Sequence, residues 1–342
     1  MEGNVIIITK TPLRIGFAGG GSDLPEFCKN YPGSCVNATI DKYVYVLVKK
    51  RYDNKIYLKY SENEIVEDIK YIKHDFIRET LDFMGINYGL EIINWADIPT
   101  RGTGLGSSSS FLVGLLNALY TLEGKPQEAR VLAEQACHIE IDRCKKPIGY
   151  QDQFAAAYGG LNYMQFKDDE AYTSVTSIGY NDKQLFELSE NIQMFYTGIT
   201  RDSSSILSEQ SKDFKNSDEE KIDQMSKNVD LANMLYGRAI DRNYDAFGAA
   251  MLENWAIKKT FNRGISNAFI DRIYEVAESA GMYGGKITGA GGGGFFIAYS
   301  PVASKSKVIK KVCEVSDSVR YMPVRFDPYG SRVLLNCEEY RW

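Results

Sequence analysis

Histidine is nearly absent from this chain: 2 in 342 residues, which all but excludes a histidine-rich metal site. Cysteine is sparse too, with 6 residues at positions 28, 35, 137, 144, 313 and 337, no CxxC pair, and too few for a disulfide framework. No run approaches the roughly 18 apolar residues of a membrane span. The longest, Phe111 to Leu122, is broken by Gly114 and Asn117. Positive charge is not in excess, since 40 Lys and Arg stand against 45 Asp and Glu for a net charge of −5. A general nucleic-acid binder needs a basic face, so that class is disfavoured. Met1-Glu2-Gly3-Asn4 is not a cationic leader, and Val5 to Ile8 is too short for a secretory core. What is present is 44% hydrophobic and 25% charged, the balance of a chain with full cores, and its length favours two domains. The expectation is a reduced, cytoplasmic, two-domain α/β enzyme.

The first third reads as strands. Val5 to Ile8, Tyr43 to Val48 and the alternating Lys55 to Tyr60 carry β-branched and aromatic residues. His74 to Met84 has helical spacing, Leu90 to Trp95 is strand-like, and Phe111 to Leu122 is apolar nearly all round, as a buried helix is. Glu128 to Arg143 reads as one helix stopped before Pro147. After a strand at 161–164, the polar stretch 167–180 is the expected domain boundary, giving domains 1–175 and 176–342. Ile192 to Tyr196 opens the second domain as a strand, helices fill most of 202–280, and Phe295 to Tyr299 is a strand. A helix near 303–315 and a strand near 319–326 follow.

Three glycine clusters punctuate this pattern. The middle one, Gly102-Thr103-Gly104-Leu105-Gly106-Ser107-Ser108-Ser109-Ser110, opens straight into the buried helix. Glycines let successive N–H groups turn inward, and a new helix adds unpaired N–H groups and its positive dipole end. Hydroxyls there suit phosphate oxygens or magnesium, so the segment is a triphosphate cradle, although no Lys-Ser or Lys-Thr makes it a Walker A loop. A serine-capped flexible turn is the bland alternative. The last cluster, Lys286 to Gly294, satisfies GxGxxG formally but is followed by a strand, which rejects a dinucleotide fold. It lets a phosphate or another backbone come very close; a tight turn at a domain interface is an equal reading. The first cluster, Pro12 to Pro25, places Arg14 and Asp23 on either side of a glycine turn. A carboxylate beside exposed amides suits a polyhydroxylated ligand. Capping of a helix near Pro25 to Lys29 explains Asp23 as readily.

In their order, the three segments resemble motifs one, two and three of the GHMP kinase superfamily, over positions 11 to 296. Gly149-Tyr150-Gln151-Asp152-Gln153-Phe154 resembles the galactokinase stretch that carries the catalytic aspartate. Gly19 to Pro25, Val36 to Tyr43 and the four serines are most similar to bacterial D-glycero-D-manno-heptose 7-phosphate kinases. One departure is that four residues separate Pro99 from Gly104, where the family's second motif has two or three. The resemblance implies an α+β GHMP kinase fold: an N-terminal domain like domain 2 of ribosomal protein S5 and a ferredoxin-like C-terminal domain. It implies ATP and Mg2+ as cofactors, with Asp152 and Arg14 catalytic, residues 102–110 binding ATP phosphates, and Ser108 and Glu140 binding the metal. Acceptor recognition would fall to Gly20, Gly21, Ser22, Asp23, Asp41, Lys42, Tyr43, Arg201, Gly289, Ala290, Gly291 and Gly292. A second cationic clamp for a far phosphate would come from Arg201, Lys258, Lys259, Arg263 or Lys10. Trp95 and Trp255 are core or stacking residues. The activity implied is phosphorylation of the anomeric hydroxyl of D-glycero-D-manno-heptose 7-phosphate, in nucleotide-activated heptose synthesis for capsule or lipopolysaccharide. A fucose or galactose kinase and a non-catalytic sugar or nucleotide sensor are the alternatives. The partners implied are a sugar phosphate and ATP, with no nucleic acid and no membrane, and a homodimer is allowed.

Overall fold

The computed structural model describes residues 5–99, 102–167, 172–200 and 203–338. The chain runs β1 (Val5–Ala18), α1 (Pro25–Cys28), β2 (Gly33–Lys50), β3 (Ile56–Lys59), β4 (Asn63–Val66), α2 (Asp75–Phe83) and β5 (Leu90–Ala96). Next come α3 (Ser107–Leu122), α4 (Ala129–Cys137), a π-helical turn (His138–Arg143), α5 (Gln151–Tyr158), β6 (Leu161–Lys167) and β7 (Tyr172–Ser177). The second half holds α6 (Asp182–Glu190), β8 (Ile192–Tyr196), α7 (Ser203–Lys215), α8 (Glu219–Ile240), α9 (Asp245–Phe261) and α10 (Ala268–Ala280). It closes with β9 (Gly284–Ile287), β10 (Phe295–Tyr299), α11 (Val302–Cys313), β11 (Arg320–Met322) and β12 (Arg332–Glu338).

The larger sheet has the order β12-β1-β2-β5-β3-β4, with β6 and β7 continuing from the first half of β2. Along β1, exposure alternates from Ile6 to Lys10, and then Thr11 to Ile15 are buried without a break. The change marks where the sheet becomes covered on both faces. The α3 helix lies against β1 and β2, while α8 and α9 from the second half also reach them. Gly114 permits the close approach of α3: a Cβ there would stand 2.7 Å from Thr11 Oγ1. Thr9 Oγ1 donates to the Gly114 carbonyl at 2.9 Å, so the helix is tied to the strand at its glycine.

The smaller sheet, β11-β8-β10-β9, is antiparallel throughout. Its βαββαβ order is the split pattern of ferredoxin-like domains, as expected. The two halves share one apolar core; Phe17 of β1 meets Phe247 of α9 edge-on at 4.8 Å.

Several expectations shift. The stretch 167–180 contains β7 rather than a bare linker, so the expected 175/176 division falls inside a strand. β12 returns to pair with β1, from Val5–Glu338 to Lys10–Arg332. The helix over 128–143 splits into α4 and the π turn. None of the six cysteines is in a disulfide, as expected. Among the described residues, no helix is long and apolar enough to cross a membrane.

Candidate active site

One cleft of about 750 Å³ opens between the halves, and all three glycine clusters reach it. The α3 helix begins at Gly106, whose φ of +76° no ordinary side chain favours. The first intrahelical bond is Ser110 N–H to Gly106 O, which leaves the N–H groups of Ser107, Ser108 and Ser109 to face the cleft with the helix dipole. The last cluster braces this loop backbone to backbone. A Cβ on Gly289 would lie 2.4 Å from Gly104 Cα, and one on Gly294 would lie 2.7 Å from Thr103 O. Thr288 Oγ1 donates to Thr103 O at 2.9 Å. Both readings of that cluster therefore hold in part: it is a tight interface turn, and Gly289 and Ala290 line the cleft.

Arg14 projects from the fully buried half of β1. Its Nε and Nη2 donate to Asp152 Oδ1 and Oδ2, each at 2.7 Å, and its Nη1 donates to Gly104 O at 2.7 Å. The planar fork thus locks the carboxylate beside the phosphate loop. Asp152 occupies the first turn of α5. Asp23 does not cap α1; it accepts from Gly21 N, Gln151 N and Gln151 Nε2 and so holds the start of α5. Of about four acceptor positions on a carboxylate, one is left for a ligand hydroxyl. Burial, then the neighbouring Asp152, push the Asp23 carboxyl above its usual range.

Glu140 is no solvated helix residue: it lies in the π turn, on the face that Ala133, Ala136 and Cys137 of α4 already bury, and is 1% exposed. It accepts from Ser108 Oγ (2.7 Å), Ser109 Oγ (2.8 Å) and Gln153 Nε2 (2.8 Å). Its ordinary value of 4.5 is pushed up to about 7 by burial, which outweighs the lowering by these three donors. A buried carboxylate and a serine hydroxyl are hard oxygen donors of the kind magnesium takes. Among the described residues no cluster of three or more His, Cys, Asp or Glu could hold a metal, so a bound ion would need phosphate or water oxygens as well.

Other expected residues lie elsewhere. Ser22 is fully buried and donates to the carbonyls of Gly19 and Ser34; Ser110 donates to Pro12 O. The Leu105 side chain belongs to the core. Gly291 and Gly292 pack on Ile265 instead of facing the cleft. Asp41, Lys42 and Tyr43 stand on the outer part of β2: Lys42 pairs with Asp41 at 2.8 Å, and Tyr43 donates to Asp327 at 2.8 Å. Lys10 lies over the Tyr43 ring and Lys259 over the Trp255 ring. Trp255 is core, and Trp95 stacks on Tyr45. Arg201 and the Arg263 side chain lie outside the described residues. His138 is a surface residue paired with Asp142.

Four lining residues carried little or no signal in the sequence. Gln151, Asn228, Asn254 and Lys286 form the wall behind the first glycine turn. Asn228 accepts from Gly19 N at 2.9 Å and donates to Gly20 O at 3.2 Å; Asn254 donates to Asn228 at 2.6 Å. Lone amides inside helices have no spacing to betray them, although Lys286 does open the third cluster.

Comparison with known proteins gives concordant matches. The model of the GHMP kinases N terminal domain matches residues 68–160, and that of the GHMP kinases C terminal matches residues 236–317. A D-glycero-alpha-D-manno-heptose 7-phosphate kinase of Campylobacter jejuni is 30% identical over 316 residues, spanning 89% of this chain and 92% of that protein. A crystal structure of a D-glycero-D-manno-heptose 1-phosphate kinase from Bacteroides thetaiotaomicron superposes with TM-score 0.79 at 23% identity, over 98% of this chain and 100% of that one. Lactococcus lactis galactokinase complexed with galactose gives TM-score 0.76 at 18% identity, over 96% of this chain and 95% of that one. At those identities the two structures speak to the fold alone.

Proposed function

The chain belongs to the GHMP kinase family and is a sugar kinase, and from that premise we propose that its acceptor is D-glycero-D-manno-heptose 7-phosphate. ATP would phosphorylate the anomeric hydroxyl to give the 1,7-bisphosphate, a precursor of nucleotide-activated heptose for surface polysaccharide. The supporting observation is the convergence, in one cleft, of the α3 N-terminus, the Arg14–Asp152 pair and Asp23. The likeness to the Campylobacter heptose 7-phosphate kinase favours this acceptor over fucose or galactose.

The N–H groups of Ser107 to Ser109 and the curled loop from Gly102 to Gly106 would hold the nucleotide's phosphates. Asp152 would take the acceptor hydroxyl's proton as oxygen bonds to the γ-phosphorus, while the bond to the β-phosphate oxygen breaks and ADP leaves with its electron pair. Arg14 fixes the Asp152 oxygens toward that hydroxyl, and Asp23 accepts from one further sugar hydroxyl. Ser108 and Glu140 would hold magnesium, which when bound neutralises phosphate charge.

Asp152→Asn keeps the shape but removes the proton acceptor. Turnover is expected to fall by about 10²–10⁴-fold, with ATP affinity retained in a calorimetric titration. Acceptor identity is checked by comparing kcat/KM for heptose 7-phosphate, galactose and fucose, with the product's phosphate located by ³¹P NMR. Equal turnover of the free sugars would overturn the heptose assignment.

A further inference from the structure

Lys258, from the last turn of α9, donates from Nζ to the carbonyl of Gly289 and lines the cleft. Gly289 in turn presses on Gly104, whose carbonyl accepts from Arg14 at 2.7 Å. The ammonium is therefore placed where the phosphate loop meets the Arg14–Asp152 pair. Lys286 lies deeper, 5% exposed, and donates to Asn254 Oδ1 and to Phe17 O at 3.4 Å. Arg14, Lys258 and Lys286 together bring three basic side chains to this corner, and Asp152 is already engaged by Arg14 on both oxygens. Among the described residues, neither lysine has a carboxylate within ion-pair distance, and the acid of this corner, Asp152, is paired with Arg14. Buried basic groups that outnumber the acids beside them are costly to charge unless an anion joins them.

We propose that Lys258 is a further catalytic residue, whose ammonium meets the phosphoryl group as it passes from ATP to the acceptor. The inference rests on the kinase reading of the cleft but not on which sugar is used. The group in flight spreads its charge over three equatorial oxygens, and it must pass between the α3 N-terminus and Asp152. Lys258 has two N–H donors beyond the one on Gly289 for those oxygens. Its place also distinguishes it from a clamp for the far phosphate: it is anchored to the turn braced on the phosphate loop, at the reacting end of the sugar. In the step, acceptor oxygen bonds to phosphorus, the bond to ADP breaks with its electron pair, and the proton goes to Asp152. Lys258 neither gains nor loses a proton.

Two measurements test this with the full chain. In the first, nucleotide binding is measured without any acceptor, using fluorescent analogues of ATP and ADP. Lys258→Gln is expected to lose about tenfold of the preference for ATP over ADP, whereas Lys258→Arg keeps most of it. In the second, Lys258→Gln is expected to lower kcat by about 10²-fold, the scale of a removed transition-state donor. The KM for whichever acceptor the wild type uses is expected to stay within about threefold. An unchanged ATP-to-ADP ratio in a folded Lys258→Gln protein, or a rise confined to the KM of phosphorylated acceptors, would overturn the assignment. Failure of the wild type to use heptose 7-phosphate would overturn only the acceptor, because the binding measurement contains none.

Discussion

At the scale of the residue, Lys258 shows a conflict between stability and use. Burial, with Arg14 adding repulsion, lowers it from 10.5 to about 7. The basic groups near it are Arg14 of β1 and Lys286 of β9; burial, then Lys258 and Arg14, pushes Lys286 well below its ordinary value too. Between pH 7 and 10.5 the unfolded chain holds more protons at this position than the folded one, so this group makes stability rise with pH across that window. Lys258→Met is therefore expected to melt a few degrees higher than wild type at pH 7, with the gap closing toward pH 10. A Met variant that is less stable by the same amount at both values would show an ordinary packing lysine. Asp23 gives a second residue-scale prediction. Asn offers one acceptor oxygen where Asp23 meets three donors across two. Asp23→Asn should raise the acceptor KM by about tenfold or more and slow turnover, since it also loosens the start of α5. Steady-state kinetics with unchanged acceptor KM would remove Asp23 from the binding surface.

At the scale of the element, the working part is a set of helix starts held by loops. The α3 helix cannot begin where it does without Gly106, and the third glycine turn cannot brace it without Gly289. Gly289 has a φ of +60°, and an added Cβ would run into backbone instead of a flexible side chain. Gly289→Ala is expected to cost at least about 1–2 kcal/mol from the left-handed conformation alone, read as a lower urea midpoint. Because the loop must back away, KM for ATP should rise as well. Gly106→Val should act more locally: its Cβ would approach Asp152 Oδ2 to 3.3 Å, so ATP binding and kcat should fall together. Unchanged nucleotide affinity in both variants would separate this loop from phosphate. The π turn after α4 carries Glu140 on the buried side of that helix, where it meets Ser108 and Ser109 at the start of α3.

At the scale of the whole molecule, the two halves are interleaved. Asn228 of α8 holds the Gly19–Gly20 turn, α8 and α9 cover β1 and β2, and β12 completes the edge beside β1. Ser331, just ahead of β12, pairs with Thr11 of β1 and accepts from Asn117 of α3. Removing residues from 331 onward should therefore destabilise the N-terminal sheet, not merely trim a tail. A lower thermal midpoint, with hydrogen exchange accelerated in β1, is the expected outcome. Unchanged protection of β1 would make β12 peripheral.

The sequence by itself determined what depends on neighbours along the chain. The buried run from Phe111, the aromatic-rich run at Phe295 to Tyr299, and the three glycine clusters in their order were legible because period, burial and turn chemistry are local. Arg14, Asp152, Ser108 and Glu140 were singled out by the resemblance to family motifs, and all four line the same cleft. Tertiary structure alone decided which of those residues share a space. Asp41, Lys42 and Tyr43 follow their motif in sequence yet turn outward on β2, and Asn228 and Lys286 enter the cleft from 200 or more residues beyond Arg14. β12 could not be assigned to its sheet because pairing across more than 300 residues leaves no mark on either strand. The physical reason is the same throughout: a side chain's type sets what it can bind, while the long-range packing of strands and helices sets what it meets.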